Sequence, residues 1–309
     1  MKRAFVTGAS GFIGAAVVKR LLNSGWLVAV LQRTSTLGDR LRDVAGNVHL
    51  ISGASESVKS FEDEFRHWHP DAVFHLGWAG VGSRQYNDAT IQLGNLNFTL
   101  ELARLCADCR IAHFIGAGSQ AEYGPTNQLI HESACPAPTT LYGAAKLSSC
   151  LLTQTICDLA GLRHSWLRIF STYGPGDNPN WLLPSLVRQL FQRQRPQLTA
   201  CEQTWDYLHV EDAATAFDSV AAAGATGIFN VASGIELPLR NIVLQVRDAV
   251  DPSLELGFGE LPYRPDQVMR MQVSIERLST LANWRPKIAF RDGLNGLIQS
   301  LNMPQPLGM

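Results

Sequence analysis

The first 170 residues alternate short apolar runs with longer stretches whose apolar residues recur at helical spacing. Between the first two runs, residues 12–22 predict a helix with Ile13, Val17 and Leu21 on one face. Strands separated by about ten or more helical residues are typical of right-handed βαβ units. We therefore predict an α/β fold built on a doubly wound parallel sheet. Its strands are predicted at residues 3–6, 27–31, 48–52, 72–76, 112–115 and 162–169, with a long helix at 142–159 before the last of them.

The pattern changes after residue 170. Residues 174–180 are dense in glycine, proline, aspartate and asparagine, which predicts a structured loop. The elements predicted beyond it are helices at 182–191 and 210–221 and a strand that ends near residue 208. The sequence therefore predicts a larger domain over residues 1–170 and a smaller C-terminal α/β lobe over 171–309, with some chain exchanged between the two.

Composition and charge exclude several classes of protein. Hydrophobic residues make up 46% of the chain and charged residues 17%, so it can bury a sizeable core and is not disordered. The net charge of -1 gives no reason to expect a nucleic-acid or membrane-surface partner. No apolar run approaches the roughly 18 residues of a membrane span, and the first residues do not resemble a signal peptide. We expect a cytoplasmic protein.

The cysteines do not indicate a disulfide framework or a metal. Six cysteines spread over 309 residues are too sparse for such a framework, which fits a reducing compartment. Cys106 and Cys109 have the spacing of a redox or zinc pair, but no second pair lies at a matching distance. We therefore expect no metal site.

Three glycines at intervals of three, Gly8, Gly11 and Gly14, lie between the first strand and the first helix. Such a loop lets a pyrophosphate rest on the helix N-terminus, because glycine permits the tight turn and the close approach of backbone to phosphate. We predict a Rossmann-like, dinucleotide-binding domain, although a glycine-rich turn without a ligand is the alternative. The cofactor contacts are expected from Gly8, Ser10, Gly11, Phe12, Ile13 and Gly14, and from Leu76 at the end of the fourth strand.

The end of the second strand distinguishes NAD from NADP. An acid there would bind the ribose hydroxyls and repel a 2′-phosphate, but this chain has Gln32, Arg33 and Thr34. Arg33 could form a charge-assisted pair with the 2′-phosphate, and Thr34 could donate a hydrogen bond. A solvated surface arginine is the alternative for Arg33. Because the acid is also absent, we predict NADP(H) as the cofactor.

Tyr142 and Lys146 lie one helical turn apart on one face of the helix predicted at 142–159. An ammonium favours a nearby phenolate, so we expect Lys146 to lower the pKa of Tyr142 from its reference of about 10. Tyr142 could then exchange a proton with a substrate oxygen while hydride moves at the adjacent carbon, and Lys146 would also bind the nicotinamide ribose. Ser119 follows the fifth strand at the carboxyl edge of the sheet, where its hydroxyl could hydrogen-bond the reacting oxygen.

Further motifs accompany these residues along nearly the whole chain. They are residues 70–76 (PDAVFHL), 118–124 (GSQAEYG), 167–170 (LRIF), 173–176 (YGPG), 206–212 (DYLHVED) and 229–231 (FNV). Together with the glycine loop and Tyr142-x-x-x-Lys146, they resemble the extended short-chain dehydrogenases/reductases that act on nucleotide sugars (the NAD-dependent epimerase/dehydratase type). The resemblance implies that Tyr142 is the general acid/base, Lys146 its partner and Ser119 the hydroxyl donor, with Asn95 near the active site.

Departures from the family pattern narrow the reaction. The family's 4,6-dehydratases carry an Asp-Glu pair directly after the active-site Ser or Thr, where this chain has Gln120 and Ala121. Its 3,5-epimerase/reductases use a Cys and a His at the positions of Ala121 and Trp181, and its C4-epimerases usually keep an acid at Gln32. What the resemblance then implies is an oxidoreductase of deoxysugar biosynthesis: an NADPH-dependent 4-ketoreductase for an NDP-4-keto-deoxysugar.

The resemblance also implies that the C-terminal lobe binds the nucleotide sugar. Arg264 matches a family arginine and is the candidate for the diphosphate, against a surface salt bridge. Trp205 stands where the family often has another arginine, and it could stack on a base or sugar or pack in the core. Gln120, Asn95 and Trp181 complete the candidate substrate contacts. Because the helices near 96–106 and at 142–159 are apolar on more than one face, the family's four-helix dimer bundle implies a homodimer.

Other interpretations stay open. One is an isomerase that holds NAD, either an epimerase of the UDP-glucose 4-epimerase type or a decarboxylating relative. Another is a non-catalytic NADP-binding sensor, against which the complete set of Ser119, Tyr142 and Lys146 argues. A third is a reductase for a ketone or aldehyde that is not a sugar.

Overall fold

A computed structural model describes residues 1–33, 37–54, 57–82, 85–263 and 267–302. Its central sheet consists of β1 (Arg3–Thr7), β2 (Leu27–Gln32), β3 (Val48–Ser52), β4 (Ala72–His75), β5 (His113–Ser119), β6 (Arg163–Ile169) and β10 (Gly227–Val231). The strands lie in the order β10-β6-β5-β4-β1-β2-β3, and all neighbours are parallel. The strand order reverses beside β1, so the predicted doubly wound sheet is confirmed.

Helices cover both faces of this sheet. One face packs against α1 (Phe12–Asn23) and α6 (Val210–Ala223), and the other against α2 (Glu62–Trp68), α3 (Ala89–Asp108) and α4 (Leu141–Ala160). In β1, Ala4 and Val6 belong to the first layer and Phe5 to the second, and all three are fully buried. Burial on both faces is typical of parallel sheets and explains the nearly continuous apolar runs. Among the residues described, no helix combines the length and apolarity that crossing a membrane requires.

A separate core lies at the carboxyl end of the strands. It is formed by α5 (Leu182–Phe191), α7 (Leu239–Val250) and α9 (Phe290–Asn302), together with Tyr173. The remaining elements are α8 (Glu276–Leu281), β7 (Thr172–Tyr173), β8 (Thr204–Trp205), β9 (Leu208–His209) and β11 (Leu237–Pro238). β8 pairs antiparallel with β11, and β7 pairs parallel with β9.

Two predictions of strand position are wrong. The sheet does not end with the strand at 163–169, because β10 pairs with β6 from Gly227 opposite Ser165 to Val231 opposite Ile169. This strand follows the turn-rich loop in sequence, so its short apolar run could not be assigned to the first sheet. The strand predicted to end near residue 208 is two short strands, β8 and β9, which pair with different partners.

Candidate active site

The turn between β1 and α1 is shaped to hold an anion. Gly8 has a φ of +71°, and a Cβ there would lie 2.6 Å from the Gly77 nitrogen, so only glycine fits without strain. A Cβ on Gly14 would overlap the Gly8 carbonyl oxygen, so Gly14 lets α1 start directly against the loop. Within the described residues, Gly11 caps α1 without a side-chain hydrogen bond, and the first turn carries no acid. The first amides of α1 are therefore positioned to bind phosphate oxygens.

The other predicted loop residues surround this turn. Ser10 is exposed at the loop tip, and Phe12 and Ile13 are half-buried in the first turn of α1. Leu76 packs against the same apolar layer as α1. The Ser10 carbonyl accepts a hydrogen bond from Arg40 Nη1 at 3.1 Å. Ser10, Phe12 and Ile13 thus form the loop tip and the first turn of α1, and Leu76 lies on the same apolar layer.

The end of β2 offers polar groups at the same edge of the sheet. The Gln32 Nε2 atom is buried and has no hydrogen-bond partner among the described residues. A buried unpaired amide is costly, and a ribose hydroxyl would satisfy it. Arg33 is exposed next to it, and Thr34 lies outside the described residues. The loop and Gln32 therefore fit the adenosine half of a nicotinamide dinucleotide.

Ser119 and Tyr142 meet where β5 ends and α4 begins. Ser119 closes β5 and caps a short 3-10 turn, Gln120–Glu122, with its Oγ accepting from the Ala121 nitrogen at 3.2 Å. A Cβ on Gly143 would collide with the Ala121 carbonyl oxygen, so this glycine lets α4 approach the turn. The close packing places Tyr142, in the first turn of α4, near Ser119, whose side chain acts on the phenol.

Aromatic rings enclose the Tyr142 phenol. The Tyr86 ring stacks on it with centroids 4.9 Å apart, and the Trp78 ring meets it edge-on at 6.2 Å. Burial in this environment raises the pKa of Tyr142 above its usual value, and the neighbouring Ser119 side chain opposes the shift. Tyr142 is therefore a neutral phenol at neutral pH.

Lys146 is buried one turn further along α4, with 4% of its surface exposed. Its Nζ donates to the Ala117 carbonyl oxygen at 2.7 Å and lies 3.7 Å from the centroid of the Trp78 ring, a cation–π contact. Burial lowers the pKa of Lys146 to about 7, and the Glu122 carboxylate opposes this shift. Our expectation that Lys146 lowers the pKa of Tyr142 is therefore wrong in this structure. Desolvation dominates both groups, and the amine is directed at Ala117 and Trp78.

Two predicted substrate contacts, Gln120 and Trp205, are partly buried. Gln120, directly after Ser119, has a buried Oε1 with no hydrogen-bond partner among the described residues. Trp205 packs between two apolar clusters, and its Nε1 donates to Ser171 Oγ at 2.7 Å. The indole is thus both packed and hydrogen-bonded at the carboxyl side of β6.

The other three predicted substrate residues have different surroundings. Trp181 precedes α5 and is 43% exposed. The Asn95 side chain accepts from the Ala79 nitrogen and donates to the Ala79 oxygen, both at 2.9 Å, so it fixes the loop after β4. Arg264 lies outside the described residues.

The sequence matches a known protein family over most of its length. Residues 4–232 match the NAD dependent epimerase/dehydratase family. The chain belongs to this family. It is an NAD(P)-dependent enzyme of the extended short-chain dehydrogenase/reductase type, as the motifs predicted.

Relatives within the epimerase/dehydratase family span the whole chain. A GDP-6-deoxy-D-mannose reductase of Pseudomonas aeruginosa is 26% identical over 96% of this chain and 96% of its own. A UDP-glucose 4-epimerase of Mycolicibacterium smegmatis is 26% identical over 94% and 96%. The structure of a Thermus thermophilus UDP-glucose 4-epimerase in complex with NAD is 25% identical, covers 97% of this chain and 98% of its own, and superposes with a TM-score of 0.85.

Three residues at this family site were not among the predicted site residues: Trp78, Tyr86 and Glu122. Trp78 and Tyr86 frame the phenol and the amine from the segment after β4, and no local pattern marks them. Glu122 is fully buried beneath Ser119 and completes a capping box with it. The Ser-x-x-Glu spacing of residues 119–122 was a visible signal for that box.

Proposed function

We propose that this protein is an NADPH-dependent reductase of the C4 ketone of an NDP-4-keto-deoxysugar. The observation that carries the proposal is the meeting of Ser119, Tyr142 and Lys146 at the carboxyl edge of the sheet, beside the glycine loop. The residues directly after Ser119 are Gln120 and Ala121, which supply neither an acid nor a base for 4,6-dehydration or 3,5-epimerisation.

The bound nicotinamide would supply a hydride to the ketone carbon. The chain's own residues then handle the oxygen. Ser119 donates a hydrogen bond to it, and Tyr142, which burial keeps protonated, gives it a proton. Lys146, with a pKa of about 7, holds the nicotinamide ribose and supplies positive charge beside the developing alkoxide. A tyrosine that starts as a phenol suits reduction, whereas oxidation of a sugar alcohol would need it to start as a base.

Binding of the 2′-phosphate is assigned to the end of β2. Gln32 replaces an acid that would repel it, and Arg33 and Thr34 follow directly. The orphaned Gln32 amide donates to the ribose. These residues favour NADP(H) over NAD.

The relatives support a nucleotide sugar as substrate, since their names include a reductase and an epimerase of such compounds. We assign residues 1–170 to the cofactor and 171–309, with Gln120 and Asn95 from the first part, to the sugar nucleotide through Trp181, Trp205 and Arg264. We further propose a cytoplasmic homodimer that pairs α3 and α4. Their exposed leucines include Leu93, Leu151 and Leu152, which are 58%, 53% and 44% exposed.

A second candidate is a 4-epimerase that keeps NAD bound and returns the hydride to the sugar. It is favoured by the likeness to UDP-glucose 4-epimerases in sequence and in structure. The two functions differ in whether NADPH is consumed, and in whether the cofactor exchanges.

Cofactor affinity distinguishes them. Titration of the apo protein followed by nicotinamide fluorescence should give NADPH binding at least about tenfold tighter than NADH, a difference of about 1.4 kcal/mol. Arg33→Gln should bring NADPH affinity down to the NADH value and leave NADH unchanged. Arg42→Gln, which removes an exposed arginine paired with Asp39, is the control and should change neither affinity. A protein that purifies with tightly held NAD, or that prefers NADH, contradicts the proposal.

A further inference from the structure

A buried carboxylate lies directly beneath the catalytic serine. Glu122 is 0% exposed. Its Oε1 accepts hydrogen bonds from the Ser119 nitrogen and from Trp166 Nε1, both at 2.9 Å, and its Oε2 accepts from Arg168 Nε at 2.6 Å. These hydrogen bonds to the carboxylate therefore come from β6 and from the serine itself.

The sheet is shaped around this carboxylate. Trp166 and Arg168 are two residues apart on β6 and so face the same side. On the neighbouring strand, a Cβ on Gly116 would enter the Trp166 indole, and one on Gly118 would lie 2.6 Å from Glu122 Oε1. The two glycines of β5 thus leave the space that the indole and the carboxylate occupy. The position of Glu122 therefore depends on the sequence of two neighbouring strands.

Two basic side chains, and not one, lie near the Glu122 carboxylate. Arg168 is 1% exposed, and its Nη1 atom has no hydrogen-bond partner among the described residues. Lys146 is a second buried basic group beside this cluster: its Nζ lies 6.0 Å from the centroid of the Trp166 ring, whose Nε1 donates to Glu122. In a buried site such charge–charge effects are larger than in water. The Glu122 carboxylate therefore lies near two buried basic groups, Arg168 and Lys146.

The remaining groups around this cluster are neutral near pH 7. Burial lowers the pKa of His75, on β4, to about 3, and raises those of Tyr123 and of Cys150 to about 12. It also raises the pKa of Tyr142. In the described part of the chain, the charged groups of the cluster are thus Glu122, Arg168 and Lys146.

We propose that Glu122 is a positioning residue for this active site. Its carboxylate, fixed by Arg168 and Trp166, sets the backbone of Ser119 and places a negative charge next to the Lys146 amine, on the other side of the Trp166 indole. It touches neither substrate nor cofactor, and acts through Ser119 and Lys146. Its role in the reaction rests on the proposed function, but its effect on Lys146 does not.

The test is the titration of Lys146, followed by NMR in isotope-labelled lysine side chains and assigned with Lys146→Arg. In the unaltered protein the midpoint should lie near pH 7. Glu122→Gln keeps the shape and removes the charge, so the ammonium loses its counter-charge and the midpoint should fall by about one unit or more. Glu132→Gln is the matched control: Glu132 also accepts a backbone N–H, from Asn230 at 2.9 Å, and the Lys146 midpoint should not move.

Glu122→Gln leaves Arg168 without its partner and could fail to fold. The double variant Glu122→Leu/Arg168→Met removes both charges and nearly keeps the volume. The Lys146 midpoint should still fall, but by less than in Glu122→Gln, because a cation that repels the ammonium is removed as well. An unchanged midpoint in either folded variant overturns the proposal. So does a midpoint below about pH 6 in the unaltered protein, since Glu122 would then not hold the charge.

The pH dependence of the enzymatic activity provides a second test. With a substrate in hand, the pH optimum of kcat/KM should move to lower pH in Glu122→Gln, with activity at pH 7 reduced about tenfold or more and partly recovered at pH 6. A uniform loss at every pH would indicate a merely structural role and contradict the proposal. If the unaltered protein turns over no keto-sugar, the proposed function fails, while the Lys146 titration still decides the role of Glu122.

Discussion

At the scale of single residues, burial sets the protonation states that the reaction needs. Tyr142 and Lys146 are adjacent along α4, yet desolvation raises the pKa of the phenol and lowers that of the amine to about 7. The phenol therefore carries its proton at neutral pH, as the proposed reduction requires of Tyr142. Because the pKa of the Lys146 amine is close to neutral pH, a nearby charge can determine whether the amine is protonated. Trp78, 3.7 Å from the amine and edge-on to the phenol, contributes to the desolvation of both.

Tyr142→Phe tests the assignment of the proton donor. Removing the hydroxyl should lower kcat by about 10²–10⁴-fold, which is the usual contribution of general acid–base catalysis. The ring still stacks on Tyr86, so the fold and the affinity for NADPH should be retained. Steady-state kinetics and fluorescence titration of the same preparation measure the two effects. A variant within about threefold of the normal kcat would exclude Tyr142 as the acid.

At the scale of elements, three neighbouring strands bury histidines that stay neutral. Burial lowers the pKa of His75 on β4 and of His113 on β5 to about 3, and that of His164 on β6 to about 4. Each pairs with a hydroxyl: His75 with Thr7 and Thr99, His113 with Ser165, and His164 with Thr153. The hydroxyl partners satisfy the neutral rings, so the sheet is built for uncharged histidine.

These histidines predict a loss of stability in acid. The unfolded chain takes up protons near pH 6.5, whereas the folded chain does so only near pH 3 to 4. The free energy of unfolding should therefore fall as the pH falls from about 6.5 toward 4. Each histidine contributes at most about 2 kcal/mol to the loss by pH 5. Urea unfolding at a series of pH values measures it, and His164→Phe should make the dependence shallower. Stability that stays constant from pH 7 to pH 5 would contradict neutral histidines.

The close packing of the glycine loop against α1 requires positions without a Cβ atom. Gly14→Ala would place a Cβ on the Gly8 carbonyl oxygen and push α1 away from the loop, at a cost of about 1–3 kcal/mol in stability, with loss of cofactor affinity. Gly46→Ala is the matched control, because the space around Gly46 is open among the described residues. Thermal unfolding and NADPH titration of both variants test this. Equal behaviour of the two would show that close packing at Gly14 is not required.

At the scale of the whole molecule, one arginine connects the glycine loop to the loop after β7. Arg40 Nη1 donates to the Ser10 carbonyl of the glycine loop at 3.1 Å. Its Nη2 and Nε donate to the Gly176 carbonyl, in the loop after β7, at 2.8 Å and 3.1 Å. The guanidinium also acts on Asp177 in that loop. Arg40 thus spans from the expected pyrophosphate position to the C-terminal half.

Arg40→Ala should loosen this connection. We expect NADPH and NADH to dissociate about three- to tenfold faster, because the loops on both sides of the cofactor lose shared hydrogen bonds worth about 1 kcal/mol together. Stopped-flow displacement measures both rates. Arg42→Ala, in the same 3-10 segment, should leave them unchanged. If both variants release cofactor at the normal rate, Arg40 plays no part in holding it.

Some features of the fold and of the candidate site were predictable from the sequence, and others were not. The glycine loop, the paired Tyr142 and Lys146, and Ser119 at the edge of the sheet were predictable, because local spacing defines each of them. The seventh strand, 227–231, was not, because its pairing with β6 depends on contacts distant in sequence. The pKa values of Tyr142 and Lys146 also depend on burial by residues such as Trp78 and Glu122, which helical spacing cannot reveal.

Transfer of a labelled hydride decides whether the enzyme is a reductase. NADPH carrying deuterium at the transferable position is incubated with the protein and an NDP-4-keto-6-deoxysugar, and the product is examined by NMR and mass spectrometry. We expect stoichiometric consumption of NADPH and deuterium at C4 of the sugar. No consumption of NADPH, together with interconversion of UDP-hexoses by a protein that retains NAD, would show an epimerase and contradict this account.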